Sequence, residues 1–444
     1  MKHIVIIGNG IAGITAARHI RKKSDHAITI ISDETEYFYS RTALMYIYMG
    51  HMEYHHTKPY EDWFWSKNKL QLLKDYVKSV NTEDKTLTLR DHDSITYDIL
   101  IIASGSTPNK LGWPGQDLKG VTGLYGIPDL QTMEQYTQNI GQAIVVGGGL
   151  IGIEMAEMLH SRKIPVTMLV RESSFWNRVL PAEESAMVNR HIGEHDIDLQ
   201  LDTELDRIES DTEGRVRSVI TKSGKEIECQ FVGLTVGVHP NINFLEGSEI
   251  EIDKGVLVDE YLATSVPDVY AIGDCAQHRE PRPGRKPVEQ IWYTGRIQGE
   301  TLAYTLCGTK TAYQPGIFFN SAKFIDIEYQ VYGEINTDPA EDEEHLYWEH
   351  ADGRKSIRIA YKKDNGNVIG FNLMGIRYRH EVCERWIKNK TSIREVLKHL
   401  YQANFDPEFF DTYEQYLVNK FNQLHPQHPV KTSKKLLWGI FSKK

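Results

Sequence analysis

The chain contains few cysteines. Cys229, Cys275, Cys307 and Cys383 are its four thiols, and no two are close enough in sequence to form a Cys-x-x-Cys pair. Neither a disulfide framework nor a dithiol motif is predicted. We interpret each cysteine as a reduced thiol that packs in a reducing compartment, which indicates a cytoplasmic protein.

Long hydrophobic runs and strongly biased charge are also missing. The most apolar stretch, residues 143–153, is short and contains several glycines, so no segment is predicted to span a bilayer. Residues 1–4 lead directly into a strand pattern without the features of a signal peptide, and export is not expected. The formal net charge of −10 is not concentrated in one run, so no nucleic-acid partner is predicted.

The sequence shows little sign of a metal site or a nucleophile. His51, His55 and His56 form a histidine cluster, and the first two have the i,i+4 spacing of ligands on one helix face. Because no further ligands follow in a recognisable pattern, a solvated, tyrosine-rich loop is favoured and no metal is predicted. No Ser-His-Asp or P-loop pattern stands out.

A glycine-rich turn of the dinucleotide-binding type lies near the start of the chain. Residues 3–7 have the pattern of a buried strand, and residues 14–23 have helical spacing. Between them, Gly8 permits a tight turn, Gly10 lets backbone N–H groups approach a pyrophosphate, and Gly13 lets the helix pack on the strand. The turn consists of Gly8, Asn9, Gly10, Ile11, Ala12 and Gly13.

A ribose-binding acid is expected about twenty residues beyond such a turn. The second predicted strand, residues 27–31, ends just before Asp33 and Glu34. One of these two carboxylates is therefore predicted to bind the adenosine ribose of the dinucleotide.

The same unit recurs in the middle of the chain. A strand at residues 143–146 precedes a second glycine turn, and a helix up to residue 161 and a strand at residues 165–170 follow it. Two dinucleotide-binding units in one chain predict two dinucleotides, a tightly held flavin and an exchangeable nicotinamide. The second turn consists of Gly147, Gly148, Gly149, Leu150, Ile151 and Gly152.

Three further segments resemble the pyridine nucleotide–disulfide oxidoreductase superfamily. Residues 97–108 resemble the segment that closes its FAD domain, and residues 237–241 resemble the crossover out of its nicotinamide domain. Residues 269–275 resemble its second FAD motif, in which the aspartate, here Asp274, holds the ribityl chain. The cofactor-binding positions in these segments are Ala103, Ser104, Gly105, Gly237, Gly273 and Asp274.

The resemblance implies an α/β protein with two Rossmann-like domains and a smaller α+β domain. The FAD domain would comprise residues 1–112 and 243–315, with the NAD(P) domain inserted as residues 113–242. Residues 316–410 would form the C-terminal domain. Strands are expected at residues 356–361 and 368–374, and a helix at 393–401; from residue 411 the chain reads as helical and then basic.

The segment after the first ribose acid separates branches of the superfamily. The disulfide reductases and their single-cysteine relatives carry a cysteine here, but this position holds Ala43. Tyr39-x-Arg41-x-x-Leu44 resembles ferredoxin, rubredoxin and nitrite reductase flavoproteins, in which the arginine lies against FAD. Many of those relatives have a lysine near the flavin where this chain has Tyr46, so the tuning of flavin reactivity is left open.

Other roles are implied by position in the family pattern. Glu154 occupies the place of a glutamate beside the nicotinamide, although an acid in the first turn is also favoured by the helix dipole. Gln290 and Trp292 lie where relatives contact the pyrimidine edge of the flavin, although a tryptophan is equally a core residue.

The nicotinamide cofactor is predicted to be NADPH. Arg171 follows the strand where NADH-dependent enzymes of this type present an acid, and it can pair with a 2′-phosphate, assisted by Arg178. Glu172 supports the alternative, because it has the spacing of a ribose-binding acid and would favour NADH.

The resemblance implies hydride transfer from NAD(P)H to FAD and onward transfer to an acceptor. An electron-transfer protein or metal-containing partner is favoured. The alternatives are an oxidase that uses dioxygen or quinones and a flavoprotein whose reduction alters its association.

The C-terminal tail differs in composition from the rest of the chain. From Lys431 it combines lysines with Leu436, Leu437, Trp438 and other apolar residues. This pattern suits an anionic membrane surface at the inner face of a membrane. The alternative is that the tail covers a groove on its own protein or on a symmetry mate in a homodimer.

Overall fold

The structure is a computed structural model that describes residues 1–433. The chain divides into two compact units. The first contains Met1–Arg171 and Asp196–Pro315, and the second contains Glu172–His195 and the described residues from Gly316 onward. The boundaries of these two units differ from the predicted domain boundaries. The division into FAD, NAD(P) and C-terminal domains stays a prediction.

The first unit is built mainly from parallel sheets and the helices that connect their strands. Its strands are β1 (His3–Ile7), β2 (Ala27–Ser32), β3 (Leu70–Lys74), β4 (Val77–Asn81), β5 (Thr86–Leu89), β6 (Ile95–Thr96), β7 (Ile99–Ile102), β8 (Ser106–Pro108), β9 (Val121–Thr122), β10 (Ala143–Val146), β11 (Val166–Leu169), β12 (Asp198–Gln200), β13 (Leu205–Ser210), β14 (Val216–Thr221), β15 (Glu226–Glu228), β16 (Phe231–Leu234), β17 (Val238–Pro240), β18 (Val256–Val258), β19 (Val269–Ala271) and β20 (Ala276–His278). Its helices are α1 (Ile11–Lys23), α2 (Leu44–Tyr48), α3 (Trp63–Lys67), α4 (Ile127–Tyr136), α5 (Leu150–Ser161) and α7 (Trp292–Leu306). The helix that lies between the last two in sequence, α6 (Ala182–Glu194), belongs to the second unit.

The first parallel sheet has the strand order β19-β7-β1-β2-β3. Strand β1 is buried except at its first residue, and β7 is buried throughout. Their isoleucine-rich sequences suit strands that are covered on both faces. Since neighbouring strands run in the same direction, β1, β2 and β7 end at one edge of the sheet. Gly8, Asp33 and Ala103 follow these ends and are thereby brought together.

The second parallel sheet repeats this arrangement, with the order β12-β11-β10-β16-β9. Its central strand β10 is buried, and α5 follows it directly after the second glycine turn. Smaller antiparallel sheets, β4-β5-β6 and β13-β14-β15, accompany the two parallel sheets.

The second unit contains one antiparallel sheet with the order β21-β22-β25-β24-β23 and a core of buried apolar side chains. Its strands are β21 (Phe319–Phe324), β22 (Ile327–Gly333), β23 (Glu343–Glu349), β24 (Ser356–Lys362) and β25 (Val368–Met374). Its helices are α6 (Ala182–Glu194), α8 (His380–Lys388), α9 (Ile393–Lys398) and α10 (Glu414–Leu424).

The predicted fold class is confirmed: two parallel-sheet units of the Rossmann type are followed by a β-rich C-terminal part. The expected strands at 356–361 and 368–374 occur as β24 and β25. The expected helix at 393–401 is divided into α9 and a short 3-10 turn. The tail that combines lysines with apolar residues lies, beyond residue 433, outside the described residues.

The histidine cluster lies outside any α-helix. His51 is exposed in a bend, while His55 and His56 are exposed in a short 3-10 turn with ring centroids 3.9 Å apart. The i,i+4 geometry of two ligands on a helix therefore does not form here.

Candidate dinucleotide-binding site

A cavity of about 600 Å³ lies in the first unit, at the edge where β1, β2 and β7 end. It brings together residues that the sequence assigns to both cofactors. From the FAD set, its wall includes Gly8, Gly10, Ile11, Ala12, Asp33, Glu34, Arg41, Ala103, Ser104, Gly105, Gly273, Asp274, Gln290 and Trp292. From the NAD(P) set, it includes Leu150, Ile151 and Glu154.

The first glycine turn is shaped by close backbone approaches. Gly8 has φ +109°, and a Cβ there would overlap the carbonyl oxygen of Ala103. A Cβ at Gly13 would in turn overlap the carbonyl oxygen of Gly8. Gly10 differs, because no protein atom would lie within 4 Å of its Cβ. The protein itself therefore requires glycine at positions 8 and 13, and at position 10 it leaves space.

The second glycine turn has the same geometry. Gly147 has φ +124°, and a Cβ there would press on the carbonyl of Thr235, while a Cβ at Gly152 would overlap the carbonyl oxygen of Gly147. Gly149, like Gly10, faces open space. Neither of these two N-cap glycines supplies a side-chain cap to its helix, α5 or α1. Uncapped N-termini beside open space fit the pyrophosphate groups of two dinucleotides.

The two acids at the end of β2 have different surroundings. Glu34 accepts hydrogen bonds from Ile127 N at 2.8 Å and from the Tyr39 hydroxyl, and its Oε2 lies 2.6 Å from Arg41 Nη2. Burial opposes its ionisation, but Arg41 and these hydrogen bonds lower the pKa of Glu34 below its ordinary value. Asp33 is exposed. This difference favours Asp33 as the ribose-binding acid and Glu34 as the partner of Arg41.

Tyr125 is a wall residue that the sequence analysis missed. Its hydroxyl donates to Asp274 Oδ2 at 3.2 Å and accepts from Ser106 N at 2.9 Å. Its carbonyl accepts from Arg41 Nη1 at 2.7 Å, and the guanidinium carbon lies 4.4 Å from its ring centroid. Tyr125 thus links the predicted flavin-contacting arginine to the predicted ribityl-binding aspartate. No motif marks it, so only its contacts reveal it.

The remaining wall residues are held by hydrogen bonds across the unit. Ser104 Oγ donates to the carbonyl of Asn241 at 2.6 Å. Gln290 Nε2 donates to Ser106 Oγ at 2.9 Å. Trp292 is the first residue of α7 and is only partly buried, so its contact with the cavity favours a binding role over a core role.

Glu154 is the fifth residue of α5, so it lies beyond the first turn in which the sequence analysis considered a helix-dipole role, and it lines the cavity. Burial, together with the nearby charge of Glu157, raises its pKa to about 7. A helix dipole that stabilised the carboxylate would lower this pKa instead. The surroundings of Glu154 therefore favour a side chain that can hold or release a proton near neutral pH.

None of the four cysteines, all of which are described, contributes to the cavity wall. Cys275 is the last residue of the second FAD motif, but its thiol is buried against the carbonyls of Ile102 and Ile272, and burial raises its pKa. Ala43 ends a 3-10 turn, and Tyr46 stacks on His51 with ring centroids 6.3 Å apart.

The structure does not bring the predicted nucleotide-preference residues to this cavity. Arg171 is exposed just beyond β11, and Gly237 adopts φ +90° before β17. Arg178 Nη2 lies 3.3 Å from Glu172 Oε1 in the second unit. Arg178 is thus paired with a carboxylate, whereas the sequence predicts that it assists in binding a 2′-phosphate. The preference for NADPH over NADH stays a prediction.

Within residues 1–433, no helix is long and apolar enough to cross a bilayer.

Comparison with known proteins adds a family and several relatives. The family model described as pyridine nucleotide-disulphide oxidoreductase matches residues 2–299. The NAD(P)H nitrite reductase of Bacillus subtilis is 32% identical over 341 residues, which are 76% of this chain and 41% of that protein. The NADH-rubredoxin oxidoreductase of Clostridium acetobutylicum is 30% identical over 311 residues, 70% of this chain and 76% of that protein.

A solved structure, a ferredoxin reductase from Rhodopseudomonas palustris, superposes with a TM-score of 0.77. It is 23% identical and covers 84% of this chain and 91% of its own, which is a likeness of fold. The chain spans less than half of the nitrite reductase and of a second B. subtilis relative, an assimilatory nitrate reductase electron transfer subunit.

Proposed function

The chain belongs to the pyridine nucleotide-disulphide oxidoreductase family, and on this premise we propose that it is an FAD-dependent NAD(P)H oxidoreductase serving an external electron carrier. Members of this family use FAD and NAD(P)H. The proposed substrate is the reduced nicotinamide, and the proposed acceptor is a ferredoxin- or rubredoxin-type protein.

One observation carries the proposal: the cavity is lined by both dinucleotide-binding elements and by no cysteine. The flavin, when bound, accepts a hydride equivalent from the nicotinamide and releases electrons singly or in pairs. In the disulfide-reducing branches a nearby thiol receives those electrons. Since the wall offers none, the electrons are expected to leave for an acceptor outside the chain.

The chain's own residues bind and orient the cofactors. The uncapped N-termini of α1 and α5 supply N–H groups to the pyrophosphates, and Asp33 supplies an acceptor to the adenosine ribose. Arg41 is held by Glu34 and Tyr125, so its charge has a fixed position at the cavity. Asp274, held by Tyr125, is placed to bind the ribityl hydroxyls, and Glu154 adjusts the charge beside the nicotinamide.

Relatives support the class of acceptor. Their names include NADH-rubredoxin oxidoreductase, rubredoxin-NAD(+) reductase and a ferredoxin reductase subunit. Those carriers are small iron–sulfur proteins, and a carrier of the same chemistry is the proposed partner. Dioxygen, quinones and a change of association are the competing destinations of the reducing equivalents.

Stopped-flow kinetics tests this function. The FAD-loaded protein is reduced anaerobically with one equivalent of NADPH or NADH and then mixed with rubredoxin, ferredoxin or aerated buffer. We expect fast reduction, fast reoxidation by an iron–sulfur protein and slow reoxidation by oxygen. Oxygen reacting faster than either carrier would identify an oxidase, and slow reduction with a change in oligomeric state would identify an association-based role.

The C-terminal tail is proposed to contact an anionic membrane surface, with its lysines and apolar residues in the sequence as support. Deletion of residues 434–444, which keeps the buried Val430 and the hydrogen-bonded Ser433, should abolish cosedimentation with anionic vesicles and leave reductase activity intact. If both forms stay in the supernatant and the deletion lowers Tm or dissociates a homodimer, the tail has a structural role instead.

A further inference from the structure

Three potential metal ligands meet in the second unit, apart from the residues assigned to the cofactors. His191 lies near the end of α6, His195 follows that helix as its C-cap, and Asp326 lies in the turn between β21 and β22. One ligand atom from each side chain lies within 4.8 Å of the other two. The spacing of the histidines places both on one side of the helix end.

The ring of His191 is unusual because it is buried without a hydrogen bond. Its exposed fraction is 1%, and neither ring nitrogen has a hydrogen-bond partner among the residues that the structure describes. Nε2 contacts Asp326 Oδ1 without hydrogen-bond geometry, and Nδ1 lies 3.6 Å from Glu194 Oε2. Buried polar groups normally have hydrogen-bond partners. In the described part of the chain, Nε2 of His191 and the carboxylate of Asp326 lack a partner that both could bind.

The ring of His195 is held through its far nitrogen, and the far nitrogen of His191 faces a carboxylate. A ligating histidine usually directs its second nitrogen at a carboxylate or a backbone carbonyl, which fixes the tautomer and the ring. His195 Nδ1 lies 2.9 Å from the carbonyl oxygen of His191, and Glu194 faces Nδ1 of His191. His191 therefore presents Nε2 toward Asp326, and His195 is oriented by the contact of its Nδ1 with the helix backbone.

Charge and mobility at Asp326 are compatible with this role. Its side chain is 53% exposed, so it can move outward to the separation that a bound ion requires. Arg354 lies 3.7 Å from Asp326 Oδ2 and 3.1 Å from Glu194 Oε2, where it offsets one of the two carboxylates. Among residues 1–433, His191 contacts Glu194 and Asp326 as ion-pair partners but makes no side-chain hydrogen bond with them.

We infer that His191 Nε2, His195 Nε2 and an oxygen of Asp326 bind one Zn²⁺, with water at the fourth position. Two imidazoles and a carboxylate are ordinary zinc ligands, and a fourth ligand completes a tetrahedral site. The ion fastens the end of α6 to the β21–β22 turn. The sequence predicts no metal, and the sequence analysis missed His191 and His195, whose carboxylate partner lies far from them in sequence. This site stands apart from the proposed electron transfer.

Zinc binding by the untagged, FAD-loaded protein tests the inference. After treatment with a chelator, equilibrium dialysis against Zn²⁺ and elemental analysis should give about one tightly bound ion per chain. Asp326→Asn and His195→Gln should each weaken binding by at least about 10- to 100-fold, which is the cost of losing an outer-shell partner of a metal ligand. Both positions are at least partly exposed, so these variants avoid the buried ring.

Asp352→Asn is the matched control. Asp352 also lies in the second unit and pairs with a histidine, His350, at 3.0 Å, but no third ligand from residues 1–433 joins them. We expect this variant to bind zinc like the wild type, and zinc to raise the Tm of both. Absence of tight binding by the wild type, or equal binding by Asp326→Asn and the wild type, overturns the site even if reductase activity is normal.

Discussion

Asp33 and Glu34, two neighbouring carboxylates at the end of β2, have different roles because their surroundings differ. Glu34 is fixed by the charge of Arg41 and by hydrogen bonds from Tyr39 and Ile127, whereas Asp33 is exposed at the cavity. A residue that already has three protein partners contributes to the shape of the site. An exposed carboxylate at the same edge can accept hydrogen bonds from a ligand.

Substitution of each acid by its amide separates these roles. Asp33→Asn should weaken FAD binding and leave the stability of the FAD-free protein unchanged. Glu34→Gln should lower that stability by roughly 1.5–3 kcal/mol, because Arg41 loses a charged partner. The folded-state pKa of Glu34 is lowered, so its contribution is present above its ordinary value of 4.5 and is lost as pH falls through the lower folded value. Chemical denaturation and flavin titration measure both effects; the reverse pattern would exchange the two assignments.

Glu154 is predicted to give flavin reduction a dependence on pH. Its carboxylate form stabilises the positive charge that develops on the nicotinamide during hydride donation, so the rate should rise as pH passes about 7. Glu154→Gln should be slower on the order of tenfold at high pH and similar to wild type at low pH. Stopped-flow reduction across this range measures the effect. Glu157→Gln is the control, because removal of its charge should move the midpoint downward.

The same residue affects stability with a defined sign. The folded-state pKa of Glu154, about 7, exceeds its ordinary value of 4.5. Stability is therefore highest below the ordinary value and declines as pH rises to the folded value, by at most roughly 3 kcal/mol. Glu154→Gln should remove this decline in urea denaturation of the nucleotide-free protein.

Nucleotide preference is predicted to depend on Arg171. Arg171→Ala should lower kcat/KM for NADPH by about tenfold and leave that for NADH nearly unchanged, since a charged hydrogen bond to the 2′-phosphate is lost. Arg178→Ala should have a smaller effect, because the structure pairs Arg178 with Glu172. An unchanged ratio of the two kcat/KM values in Arg171→Ala would show that Arg171 does not select the nucleotide.

At the scale of elements, the two strand–turn–helix units repeat one geometry with separate ligands. In each unit, the glycine that precedes the helix is next to open space. At the flanking glycines, a side chain would overlap nearby backbone atoms. A methyl group at the open glycine therefore disturbs the ligand and spares the fold.

Alanine at these open positions should separate the two cofactors. Gly10→Ala should fold with the wild-type Tm in its FAD-free form and bind FAD at least tenfold more weakly, because the methyl group occupies the approach of the pyrophosphate. Gly149→Ala should retain FAD and raise the Kd for the nicotinamide nucleotide. Flavin content and nucleotide titration measure both variants. Loss of FAD from Gly149→Ala would show that the turns are assigned to the wrong cofactors.

At the scale of the whole molecule, the distribution of thiols limits the redox capacity. Burial raises the pKa of Cys229 to about 12 and also raises the pKa values of Cys275 and Cys383. Thiolates are the reactive form, so these side chains are poor redox partners. The chain as a whole is expected to store electrons on FAD alone.

Anaerobic titration with dithionite checks this capacity. We expect complete reduction with two electrons per FAD and no long-wavelength band from a thiolate in contact with the flavin. Replacement of all four cysteines by serine or alanine should leave the titration unchanged. Uptake of four electrons, or a charge-transfer band that disappears with one cysteine, would identify a redox-active thiol.

The sequence by itself determined the local elements of this protein. The turns at Gly8 and Gly147 were predictable because strand, glycine spacing and helix lie within a few residues, where backbone geometry depends on neighbours along the chain. The fold class followed from two such units and from the family resemblance, which also implied the role of Asp274; that role stays a prediction. The glycine turns and the motif that contains Asp274 are each encoded within a short segment of the chain.

Only the tertiary structure decided how the side chains are paired. The sequence could not choose between Asp33 and Glu34, nor identify Tyr125, because Tyr125 contacts Arg41 across 84 positions and Asp274 across 149. The grouping of His191, His195 and Asp326 likewise depends on which turn packs against α6. Contacts over such distances follow from the packing of complete elements, and no short pattern of residues encodes them.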